Sequence, residues 1–190
     1  LNWGIGHATR CIPIINKLIE NNYNVIIASS GRSLELLINE FPKNDFIKIT
    51  DYNVKYFSFI PFSFSILLQI PKILLKIKKE KGELDKIIDD FSIDGIISDS
   101  RFGLYSNKRK SIFITHQLEI QSNVFKSLIQ KINYSYINKF SQCWILDNQK
   151  NPLAGALSNP RKKTNNYRYI GPQSRFEKKT AKIKYDILAI

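Results

Sequence analysis

Short apolar runs alternate with longer amphipathic ones along most of this chain, and that alternation leaves few folds open. The runs at 24–29, 46–49, 94–99, 111–117, 142–146 and 167–170 are rich in Ile, Val, Phe and Tyr and are bounded by turn residues, as buried strands are. Between them, the stretch after Arg10 and the segments 33–41, 84–91 and 124–140 repeat apolar positions at helical spacing. Strand alternating with helix predicts an α/β, Rossmann-like domain, a parallel sheet with helices on both faces. There is no internal repeat and no low-complexity tract.

The same pattern fixes the expected domain limits. Residues 1–172 read as one Rossmann-like domain, 173–183 as a polar linker, and 184–190 as the opening strand of a second domain. Both ends read as cut, with the domain's first strand expected before Leu1.

In such a sheet, ligands bind beyond the carboxyl ends of the strands. Asp99, Arg101, His116 and Gln117 all fall at such ends. So does the stretch Gly4-Ile5-Gly6-His7-Ala8-Thr9-Arg10. Its glycines allow a tight turn and a close approach of bare N–H groups. A helix with Ile12, Ile15, Leu18 and Ile19 on one face is expected to follow, with Pro13 in its first turn. A helix amino end favours an anion. His7 at that mouth has the titration range of a general base. Asp99 either orients a histidine or caps the following turn. Arg10, Arg32 and Arg101 are candidate phosphate clamps.

Gly4-x-Gly6 also resembles a dinucleotide fingerprint, with Thr9 in place of the third glycine. No acidic residue ends the second strand, where Ser29, Ser30 and Arg32 would suit an NADP phosphate. An NADP-linked reductase is therefore the alternative enzyme.

Composition narrows the partners. Net charge is +13, from 29 Lys and Arg against 16 Asp and Glu, which fits either anionic partners or a solvated lysine-rich surface. No nucleic-acid-binding module is recognisable, so no nucleic-acid partner is expected. Cys11 and Cys143 are the only cysteines, which offers no disulfide framework and points to the cytoplasm. With two histidines in all, no metal-ligand spacing emerges. The stretch 57–81 is apolar and aromatic, then carries Lys72, Lys76, Lys78, Lys79 and Lys81. Its prolines, serines, Gln69 and Lys72 argue against a membrane span. Two readings remain: attachment to an anionic membrane surface, which makes a non-enzymatic membrane module a third alternative, and a helical hairpin packed on the domain with its lysines in water.

Residues 3–10, Trp3-Gly4-Ile5-Gly6-His7-Ala8-Thr9-Arg10, resemble the glycine loop that opens the N-terminal domain of GT-B glycosyltransferases. The likeness is to bacterial proteins related to the N-acetylglucosaminyltransferase of lipid II synthesis. The stretches 97–105, 113–117, 169–172 and 174–176 look like further parts of that subgroup. The resemblance implies the acceptor half of an inverting, two-domain enzyme. A UDP-sugar such as UDP-N-acetylglucosamine would be the co-substrate, a glycan or lipid-linked molecule the acceptor, and no metal or cofactor is required. It implies catalytic roles for His7 and Asp99. Gly4, Gly6, Thr9, Arg10, Arg101, His116 and Gln117 would contact acceptor or diphosphate. It also implies peripheral attachment through 57–81 at the inner face of the membrane. The loop here carries fewer glycines than that of the lipid II enzyme, so its acceptor need not be shared.

Overall fold

The computed structural model describes residues 5–50, 62–121, 125–160, 164 and 166–176, with backbone alone for 62–68. The elements are α1 (Ile5–Glu20), β1 (Ile26–Ser29), α2 (Gly31–Glu40), β2 (Asp45–Lys48), α3 (Phe62–Asp90), β3 (Gly95–Asp99), β4 (Lys110–Thr115), α4 (Lys126–Ile137), β5 (Gln142–Ile145) and β6 (Tyr167–Tyr169). A single 3₁₀ turn, Gly155–Leu157, lies between β5 and β6. Among the described residues all strand pairs are parallel and form two sheets: β1 with β2, and β3, β4, β5 and β6 in that order.

Strand periodicity decides which helix covers which face. Neighbouring residues of a strand point to opposite sides. On β2, Phe46 packs with Ala8, Ile12, Ile15, Ile27 and Leu37, the core shared by α1 and α2. The next residue, Ile47, packs with Leu84 and Ile88 of α3 and Ile96 of β3. Helices α1 and α2 therefore lie on one face and α3 on the other. Register carries the α3 face onward, since Ser98 pairs with Phe113, Phe113 with Cys143, and Cys143 with Tyr167. There Phe113, Cys143 and Ile145 meet Ile137 and Phe140, at and just beyond the end of α4. The expected α/β architecture, with parallel sheets flanked by helices on both faces, is what the chain forms.

Several expectations at the element ends need correction. Helix α1 starts at Ile5, so Gly6 and His7 sit in its first turn rather than in a loop before it, and Pro13 is interior. An interior proline removes one helical hydrogen bond; burial of Ile12 and Ile15 on either side of it holds the helix across the break. Ile19, expected on the inner face, is exposed, and Ala8 takes a place there instead. In α2 the inward residues are Ser33 and Leu37, while Ile38 is exposed. The hairpin considered for 57–81 is instead one helix, α3, which runs unbroken through Pro71; residues 57–61 lie outside the described residues. Ile77, Glu80, Leu84 and Ile88 are buried along it, and Lys72, Lys78 and Lys79 are exposed. Among the described residues no helix is long and apolar enough to cross a membrane. Gly4, most of the proposed linker and the strand expected at 184–190 lie outside the described residues.

Candidate functional site

The parallel sheets position the site. Among the described residues β1 and β2 form one sheet and β3 to β6 another, with no strand pairing between the two, and α2 and α3 lie on opposite faces. Open α/β sheets bind ligands beyond the carboxyl ends of their strands. Asp99 ends β3 on the α1 side of the sheet, three residues on from Ile96 on the α3 side. The first turns of α1 meet it there.

The meeting is dense. Arg10 grips the Asp99 carboxylate as a fork, donating from Nε to Oδ2 at 2.8 Å and from Nη2 to Oδ1. Arg10 Nη1 lies 2.7 Å from His116 Nδ1, and Nη2 lies 2.7 Å from His7 Nδ1. His7 Nδ1 is also 3.1 Å from Asp99 Oδ2. Ser100 Oγ lies 3.3 Å from Arg10 Nη2 and donates to Asp99 Oδ1 at 3.1 Å. Cys11, one turn beyond His7, completes the ring with Sγ 3.6 Å from Asp99 Oδ2. The side chains of His7, Arg10 and Asp99 are 18%, 14% and 11% exposed, which leaves a narrow opening.

Burial alone would raise the Asp99 carboxyl, but hydrogen bonds from His7 and Arg10 and the Arg10 charge outweigh it and hold Asp99 well below the usual carboxylate range. His116 is pushed below its ordinary value, first by burial and then by the Arg10 and His7 charges. The Cys11 thiol is pushed far up by burial and by the Asp99 carboxylate, so it is an un-ionised neighbour and not a nucleophile.

The structure thus brings together four residues named from the sequence: His7, Arg10, Asp99 and His116. Thr9 sits beside them but turns its hydroxyl back to the Gly6 carbonyl at 3.1 Å. Gln117 is exposed just past β4, its N–H donating to Thr115 Oγ1 at 2.9 Å. A Cβ at Gly6 would meet none of the described residues within 4 Å. Arg101 does not join the site. It is buried against α3, where Nε donates to Glu80 Oε1 and Nη2 to the Thr50 carbonyl. Arg32 is exposed on α2 and has no part in the cluster. Sequence reasoning missed Ser100 and Cys11 as members, although their positions beside Asp99 and one helical turn after His7 carried the signal. Among the described residues no group of three or more His, Cys, Asp or Glu is placed to hold a metal ion. A groove of about 830 Å³ lined by Glu119, Lys126, Gln130, Lys131 and Tyr134 shares no residue with this cluster; its chemistry is that of ordinary surface side chains, and the titratable network marks the better candidate.

The chain matches no protein-family model, no curated protein and no solved structure.

Proposed function

We propose that this chain is the acceptor-binding half of an inverting glycosyltransferase of the GT-B class, with His7 as the general base. The observation that supports this is the His7–Asp99 pair: an imidazole Nδ1 3.1 Å from a carboxylate that stays ionised, at the carboxyl end of a parallel strand. In the tautomer that places Nδ1–H on Asp99, the Nε2 lone pair is the free base. An acceptor hydroxyl gives its proton to His7 Nε2 as its oxygen attacks the anomeric carbon. The bond from that carbon to the UDP oxygen breaks, and the electron pair leaves with the diphosphate. Asp99 stabilises the imidazolium that forms. The amino end of α1 and the Arg10 charge lie where the leaving diphosphate gains negative charge. The donor nucleotide would be held by a second domain.

Leu75 is 70% exposed on α3 near the exposed Lys72, Lys78 and Lys79, which supports a cytoplasmic protein seated on an anionic membrane face.

The test is a panel of UDP-sugars incubated with the full-length protein and hydroxyl acceptors. Transfer with inverted anomeric configuration is expected. No transfer from any donor, together with a nicotinamide fluorescence change on adding NADPH, would replace this reading with a reductase whose phosphate sits at Ser29, Ser30 and Arg32.

A further inference from the structure

Arg10 stands between the two histidines, and its chemistry sets the tautomer of His116. A guanidinium has N–H donors and no lone pair to accept with. At 2.7 Å from Arg10 Nη1, His116 Nδ1 must therefore be the acceptor. A neutral His116 then carries its proton on Nε2 and offers a ligand only a donor. His7 Nδ1 differs in having two neighbours, Arg10 Nη2 at 2.7 Å and the Asp99 Oδ2 carboxylate oxygen at 3.1 Å, so the contacts do not impose one tautomer on it. The same guanidinium is locked in place by its fork on Asp99.

We propose that Arg10 is a positioning residue that fixes His116 as an Nε2–H donor to an anionic ligand oxygen. The ligand half of this inference rests on the glycosyltransferase reading, where the oxygen belongs to the donor diphosphate. The tautomer half stands without it.

His7 and His116 are the chain's two histidines, so ¹⁵N spectra of its imidazoles hold two ring systems, assigned with His7→Gln and His116→Gln. At pH 8 His116 is expected in the Nε2–H form. Arg10→Lys keeps the positive charge but cannot span Asp99 and His116 together, and His116 should then become a mixture of tautomers. A protonated Nδ1 on His116 in the unaltered chain would overturn the inference, and that measurement needs no variant to fold. So would an unchanged His116 tautomer in a natively folded Arg10→Lys chain. In the full-length protein, His116→Ala should raise KM for the donor about tenfold, as loss of a hydrogen bond to a charged group does, while His116→Gln, which retains an N–H, stays near wild type. Equal KM values for the two variants and the wild type would remove the ligand half, and absence of any transfer would instead strike the glycosyltransferase reading.

Discussion

Asp99 is the residue on which the cluster depends. It holds Arg10 by two hydrogen bonds, and Arg10 holds His116. Replacing it by Asn keeps the shape but leaves a largely buried guanidinium without its counter-charge. Breaking such a pair costs about 3 kcal/mol, so Asp99→Asn should lower the denaturant midpoint markedly; an unchanged midpoint would show the pair to be structurally idle. Acid should weaken the fold by the same network. The folded His116 value lies below its ordinary one, so its contribution is complete above about pH 6.5 and is lost as pH falls through the lowered folded value. Asp99 acts in the same direction at lower pH: its contribution is present above about pH 3.9 and is lost as pH falls through its lowered folded value. Unfolding free energy should therefore decline from pH 7 to pH 5, and His116→Gln should flatten that slope. A flat slope in the unaltered protein would contradict the assignment. His7, Arg10, Asp99 and His116 were legible in the sequence because each follows a glycine loop or a strand end. Arg101 sat in an equally suggestive place and was misread, since its partner Glu80 lies 21 residues away on a helix and no local pattern announces such a pair.

At the scale of elements, that Glu80–Arg101 pair is the latch between α3 and the turn after β3. Glu80 Oε2 also accepts from the Gly103 N–H at 3.0 Å. A Cβ on Gly103 would lie 2.6 Å from the Ile77 carbonyl oxygen and 2.8 Å from Glu80 Cβ, and the helix backbone cannot yield as a flexible side chain would. Gly103→Ala should therefore destabilise by about 2 kcal/mol or more, read as a lowered melting temperature, whereas Gly82→Ala on the same helix, which meets nothing within 4 Å, should not. Equal melting temperatures for the two variants would refute the latch. A second anchor is Asp147 at the end of β5, which accepts from the N–H groups of Asn148, Leu153 and Ala154 at 2.8, 2.8 and 3.0 Å and from the Ser158 hydroxyl. Burial would raise it, but Ser158 and those amides hold it at about 2, so this loop stays tied through mild acid. Strands were legible from their composition to within a residue or two. Helix limits were not: Pro13 was expected in a first turn and 57–81 was considered as a hairpin, yet Pro13 and Pro71 both lie inside helices whose buried faces continue past them.

At the scale of the whole molecule, alternation in the sequence was enough to announce parallel strands covered by helices on both faces. The site's location needed more: the opposite packing of Phe46 and Ile47, which shows which helix covers which face, and the contact of α1 with Asp99 at the carboxyl end of β3. Neither is a local property of the chain. The central claim is that this strand end carries a base, His7, oriented by Asp99. The direct measurement is turnover of the full-length protein with a UDP-sugar donor, His7→Ala against wild type. A fall of about a hundredfold or more, the loss expected of a missing general base, with donor KM little changed, is the predicted result. Turnover within a few-fold of wild type in a folded His7→Ala protein would contradict the account.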